Sequence, residues 1–259
     1  MKTFIDVFYG MGYAEMFPMA KKVGFDGFFS GECYANDKNA LKEVERLAYL
    51  HNLDWETSHS TIPQSTTIWS EGSEGDEYCK VLLSNLDNCV QHKIPLIVVH
   101  VAPDFSKNPS FACGIKRLIP VVEYAKKAGV KIAFENINSA DYLFKTLEFF
   151  TDSHVGFCYD CGHEACYEPD VRFLAKVGHR LFCTHLHDND GKGDCHWLPF
   201  DGAIDFERIC KELKACGYKG NLTLELCYND EYCKKYTKEE FVRKAYDRVQ
   251  RLKNMIESN

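Results

Sequence analysis

The chain has 259 residues, 45% of them apolar, and a formal charge of −7. This supports a large α/β core. No apolar run reaches the ~18 residues of a membrane-spanning helix, and the acidic balance argues against a nucleic-acid partner.

The N-terminal stretch MKTFIDVFYG lacks the apolar segment and small-residue cleavage site of a secretion signal. The 13 cysteines are odd in number and scattered. Cys89, Cys158, Cys183, Cys210 and Cys216 sit in apolar settings and read as small buried hydrophobes of a reducing, cytoplasmic protein. Cys158 and Cys161 form a CxxC, a weak redox or zinc signal without the rest of its context.

Strand-like and helix-like patterns alternate from end to end. The first strand covers Thr3–Tyr9, and a helix over Ala14–Val23 follows, with Pro18 delaying its start. A second strand, Gly27–Ser30, leads to a helix over Asn39–His51 with Leu41, Val44, Leu47 and Ala48 on one face. The third strand, Leu53–Ser58, ends in His59. The polar stretch Ser60–Gly75 is long enough to predict a lid. A helix over Glu77–His92 precedes the continuously apolar strand Pro95–Val101, which contains His100. Helix Ile115–Ala128 closes on Gly129, and strand Val130–Phe134 ends at Glu135. Helix Ala140–Phe150, strand His154–Tyr159 ending at Asp160, and helix Asp170–Val177 come next. The run Leu181–Leu186 alternates as a strand that places His185 and His187 on one face. Helix Phe206–Cys216, strand Asn221–Leu226 with Glu225, and helix Lys238–Ile256 complete the chain.

Eight strands and eight helices in alternation predict a single (β/α)8 TIM barrel spanning residues 1–259. A doubly wound open sheet is the alternative, but Tyr9-Gly10-Met11-Gly12 does not complete a nucleotide-binding fingerprint.

In a barrel the C-terminal strand ends form the catalytic face. His59, His100, Glu135, Asp160, His185 and Glu225 end six consecutive strands. One such residue is ordinarily a satisfied core group, but six in register require another explanation. His163 follows Asp160 on a turn, and Asp194 and His196 form Asp-x-His further along. Imidazole and carboxylate at this density are ligands for Zn²⁺, Mn²⁺, Mg²⁺ or Co²⁺. His187 is either a further inward ligand or a partner that orients its neighbour. Glu32 stands after the second strand, either on the same rim or as a solvated acid.

Glu135 in FEN, Asp160 and His163 in DCGH, His185 in HLHDND, the following DCH, and Glu225 in LEL together resemble the xylose isomerase-like TIM-barrel superfamily. That group holds sugar phosphate isomerases and epimerases, ketose 3-epimerases, inosose dehydratases and endonuclease IV. The resemblance covers nearly the whole chain, and HLHDNDGK is specific to the sugar isomerase/epimerase-like branch. It implies a divalent metal held by Glu135, Asp160, His185 and Glu225, and often a homo-oligomer. Endonuclease IV adds ligands that match His59, His100, His163, Asp194 and His196, which implies two or three zinc ions. Against that branch stand the departure at Trp197-Leu198-Pro199-Phe200-Asp201-Gly202 and predicted rim loops in which acids outnumber lysines.

Two mechanisms are expected from this. The first is a metal-dependent isomerase or epimerase of a small sugar, sugar phosphate or polyol. There Glu135 and Glu225 exchange a carbon-bound proton through a metal-stabilised enediolate, and His163, His59 and His187 bind substrate. Tyr9, Phe105 and Trp197 are candidates to stack on a sugar ring, while Trp69 reads as packing. The alternative is a zinc phosphodiesterase acting on abasic DNA or a small phosphoester.

Overall fold

A computed structural model describes residues 1–258, the side chain of Cys33 apart. Eight parallel strands form one sheet in the order β7-β6-β5-β4-β3-β2-β1-β8. They are β1 (Thr3–Tyr9), β2 (Gly27–Ser30), β3 (Asp54–His59), β4 (Leu96–His100), β5 (Lys131–Glu135), β6 (Val155–Asp160), β7 (Leu181–His185) and β8 (Leu222–Cys227). The barrel closes where Leu186 bridges Leu224: Leu186 N–H donates to Thr223 O and Glu225 N–H to Leu186 O. The fold is the expected (β/α)8 barrel.

Ten α-helices are described: α1 (Tyr13–Val23), α2 (Lys38–His51), α3 (Glu74–Gln91), α4 (Phe111–Ala128), α5 (Ala140–Phe149), α6 (Cys161–Tyr167), α7 (Phe173–Val177), α8 (Phe206–Ala215), α9 (Asp230–Lys235) and α10 (Lys238–Glu257). None of them is long and apolar enough to cross a membrane. α10 begins with a capping box in which Thr237 and Glu240 satisfy each other's backbone N–H.

Side-chain alternation explains how the strands hold two layers. Ile97, Val99, Ile132, Phe134, Phe157 and Leu224 join the large core under the helices. On the other face, Leu96, Val98, Ala133, Cys158 and Cys183 form a separate apolar plug. Two residues beyond that plug, on the same face, the strands deliver His100, Glu135, Asp160 and His185. Backbone register fixes the layer, because His100 pairs with Glu135, Asp160 with His185, and Asp6 with Glu225.

The structure corrects several expectations. α1 starts at Tyr13, and Pro18 lies inside it. Losing one helical hydrogen bond there is offset by the burial of Met16, Phe17 and Ala20. The predicted lid, 60–75, is instead largely packed. It holds a 3-10 turn, Ser65–Trp69, in which Thr67, Ile68 and Trp69 are buried. The Arg117 guanidinium donates to the carbonyls of Thr67, Ile68, Ser70 and Gly72. The predicted helix Asp170–Val177 shortens to α7, while α6 and α9 were not expected. Cys216 is half-buried rather than buried, and all the described cysteines are free thiols.

Candidate active site

β5 to β8 supply the centre of the site. Glu135, Asp160, His185 and Glu225 each offer a ligand atom, all within 4.8 Å of one another. His185 Nδ1 lies 3.0 Å from Glu135 Oε1 and 3.4 Å from Glu225 Oε2. A second group, His59, His100 and Glu135, shares Glu135 with the first. His59 Nε2 is 3.3 Å and His100 Nε2 3.1 Å from Glu135 Oε2.

Asp160 has two functions at once. It ends β6 and also caps α6, accepting the His163 N–H at 2.6 Å. That cap turns the His163 ring toward the centre. Its Nδ1 lies 3.0 Å from Asn136 O and its Nε2 3.2 Å from Asp194 Oδ2. His196 Nε2 lies 3.1 Å from the same Asp194 oxygen. His196 has a positive φ of 49°, the left-handed region that tight polar loops use.

His187, left open between two roles, has features of both. Its Nε2 is 3.2 Å from each Asp160 oxygen, and its ring stacks on His196 with centroids 4.0 Å apart. It also falls within a third possible ligand group with His196 and Glu225. All ten residues singled out from the sequence are therefore brought together.

The electrostatics divide the carboxyls. Burial, reinforced by Glu135, Asp160 and Asp194, pushes the Glu225 carboxyl well above the usual carboxylate range. Burial acts on Glu135 as well, but His185, His100 and His59 outweigh it and hold that carboxyl well below. Burial works against the His163 cation, yet Asp160, Asp194 and Glu135 raise its pKa to about 10. Buried carboxylates crowded together without a Lys or Arg are the donor set of a hard or borderline divalent cation. Asp194 Oδ1 and His185 Nε2 are buried with no hydrogen-bond partner among the described residues. The residues fit such an ion.

Above the cluster is a cavity of about 360 Å³, lined by Phe8, Glu32, His59, Ile62, His100, Glu135, His163, Asp194, His196 and Glu225, with Gly31. This is small-molecule size, toward the low end of the ~300–1,000 Å³ typical of ligand pockets. Glu32 is thus on the rim. The expected stacking aromatics are not in the lining: Tyr9 and Phe105 are exposed beyond it, and Trp197 lines a neighbouring cleft. Trp69 is in the core, as its reading as packing predicts. Phe8 was missed. It packs edge-on against His196, and alternation from the inward Asp6 was the available signal. Asn136, which follows Glu135 at the end of β5, donates its amide to Asp160 O and accepts the Asp160 N–H, locking β6 to the end of β5.

The sequence profile described as "xylose isomerase-like TIM barrel" matches residues 17–252. The chain belongs to that family. An uncharacterized protein, y4fM, of Sinorhizobium fredii is 35% identical over 136 residues, 50% of this chain and 43% of that protein. Fructoselysine 3-epimerase of Escherichia coli O157:H7 is 32% identical over 59 residues, 23% of this chain and 22% of the enzyme. These matches therefore span less than half the length of each relative. Among solved structures, that of the IolI protein with a bound zinc atom superposes with a TM-score of 0.83 at 17% identity, covering 100% of both chains. At that identity the likeness shows the fold.

Proposed function

We propose that the chain is a divalent-metal-dependent isomerase or epimerase of a small sugar or polyol. The observation that carries this reading is the convergence of Glu135 and Glu225 on His185 Nδ1, at the floor of a cavity open to a small molecule. The stretch shared with fructoselysine 3-epimerase supports the same chemistry. So does the zinc in the IolI structure.

Glu135, Asp160, His185 and Glu225 would hold the ion. When bound, it supplies Lewis-acid polarisation of a substrate carbonyl. The chain's own residues do the rest. One glutamate takes the proton from the carbon beside the carbonyl, and the other returns a proton to carbon, as general base and acid. His163, with Nδ1 on Asn136 O and Nε2 on Asp194, lines the cavity, and its Nε2 would reach a substrate oxygen only by exchanging Asp194 for it. Phe8 and Ile62 give the cavity an apolar wall beside these groups.

The test is metal analysis of protein purified without chelator, followed by ¹H NMR detection of solvent deuterium entering a ketose or inosose panel. About one ion per chain, and exchange lost in Glu135→Gln, is the expected result. A panel with no exchange by the loaded protein would sink the proposal.

A second reading is favoured by one observation: the possible ligand groups adjoin, with Glu135 shared by three of them and Glu225 by two. Two or three zinc ions there would suit phosphoester hydrolysis. Two or three zinc ions per chain, with cleavage of an abasic duplex or a small phosphoester, would favour it over isomerisation.

A further inference from the structure

Barrel enzymes that act on phosphorylated substrates commonly seat the phosphate on backbone N–H groups of the loops after the seventh and eighth strands. In this chain those N–H groups are taken by its own side chains. Asp188, fully buried after β7, accepts from Asn189 N–H at 2.8 Å, Gly202 N–H at 2.9 Å and Ile204 N–H at 3.0 Å. The nest is built tightly around that carboxylate, because a Cβ at Gly202 would lie 2.4 Å from Asp188 Oδ1. Asp190 accepts from Lys192 and Gly193, and Asn189 from Gly191. After β8, Asn229 takes the first free N–H groups of α9, those of Glu231 and Tyr232.

The cavity itself repeats the exclusion. Its lining carries the carboxyls of Glu32, Glu135, Asp194 and Glu225 among imidazoles, of which His163 is already bonded to Asp194, and no Lys or Arg lines it among the described residues. Glu32 and Asp194 both stand outside the ligand groups, but Asp194 is taken up by His163 and His196. One Glu32 oxygen, Oε2, accepts the Ile62 N–H at 2.9 Å, which fixes the carboxylate at the mouth. No other donor to that carboxylate is found among the described residues. A fixed carboxylate repels a phosphate dianion and accepts from a hydroxyl or an ammonium.

We propose that the site takes an unphosphorylated sugar or polyol, and that Glu32 sets this choice by accepting a hydrogen bond from a hydroxyl or ammonium group of the substrate. The proposal rests on the isomerase or epimerase reading.

The test is calorimetric titration of the zinc-loaded full chain with three probes: D-fructose, its 6-phosphate and 1-amino-1-deoxy-D-fructose. The same titrations are made on Glu32→Gln and Glu32→Lys, with zinc content and melting temperature measured for each. The expected result is that wild type binds one of the two unphosphorylated probes at least about tenfold more tightly than the phosphate ester, and that Glu32→Lys reverses the preference with zinc retained. If Glu32→Gln weakens only the amino probe, the partner is an ammonium; if it weakens fructose as well, a hydroxyl. Equal or tighter binding of the phosphate ester by wild type would overturn the proposal. So would a ratio unmoved by either substitution, or no binding of any probe at millimolar concentration. Deuterium exchange on the tighter probe separates the two readings: a binding preference without exchange removes the isomerase reading and leaves the specificity intact.

Discussion

Glu135 and Glu225 reach the same imidazole nitrogen, 3.0 Å and 3.4 Å from His185 Nδ1, yet their proton affinities lie on opposite sides of the usual carboxylate range. Burial and the neighbouring Glu135, Asp160, Asp194 and Asp6 carboxylates favour the neutral form of Glu225, while the histidines outweigh burial and favour the charged form of Glu135. A cation entering the cluster needs Glu225 deprotonated, so metal uptake should release a proton. The sign follows from the raised pKa: apparent metal affinity climbs as pH rises toward the Glu225 value and falls as pH drops. Zinc titrations in buffers of different ionisation enthalpy measure this directly. A net proton release that grows as pH falls is expected, and a pH-independent affinity with no release would remove Glu225 from the ligand set.

The same shift predicts a stability effect in the metal-free protein. A carboxyl whose folded pKa exceeds its unfolded value contributes stability at low pH that is lost as pH rises above the unfolded value. Glu225→Gln removes that loss. At pH 8 in chelator the variant should therefore melt no lower than wild type. It should also lose the rise in melting temperature that zinc gives wild type, and about 10²–10⁴-fold in exchange rate. A variant that melts well below wild type in chelator would show that Glu225 is a structural acceptor instead.

Much of this was legible in the sequence, for a definable reason. Strands buried on both faces must carry apolar residues, so a lone His, Asp or Glu at the end of each stands out, as His100, Glu135 and Asp160 do. The side-chain period of two then places those residues on one face with the plug beneath them. What was not legible is what depends on short local hydrogen bonds. α6 is seven residues long and holds Gly162, so no helical periodicity can show, and its start is set by the Asp160 cap. The stretch 60–75 reads as a mobile lid by composition, but its order comes from Arg117, some 40 residues later. Asp188 looks like one more loop acid in HLHDND, because what distinguishes it is a three-amide nest completed by Gly202 and Ile204.

Gly162 gives a sharp test of how closely α6 sits on the centre. A Cβ there would lie 1.9 Å from His187 Cε1, too near for either ring or helix to stay in place. Since the His187 ring is held between Asp160 and His196, moving it disturbs an Asp160 carboxylate that also faces the cluster. Gly162→Ala should cost ~1–3 kcal/mol by overpacking and weaken zinc binding at least about tenfold. Chemical denaturation and a competitive zinc titration read the two effects. Loss of stability with unchanged zinc affinity would show that His187 has no part in positioning Asp160.

Arg117 offers the complementary case, a residue remote from the centre that orders part of its wall. Its guanidinium donates to four carbonyls of the 65–72 segment and pairs with Asp76 at 2.7 Å. The segment connects back to Ile62, which lines the cavity. Arg117→Ala removes a donor from the part-buried carbonyls of Ile68 and Ser70, at a cost of ~1–3 kcal/mol. Arg117→Lys restores charge but not the planar fork, so it should recover only a minor part. Because no ligand atom touches Arg117, zinc stoichiometry should stay at the wild-type value in both variants. Limited proteolysis should instead open a cleavage site within 60–75 in Arg117→Ala, protected in wild type. A variant as resistant as wild type would mean that Trp69, stacked on Phe111 and set edge-on to Tyr142, holds this stretch without the arginine.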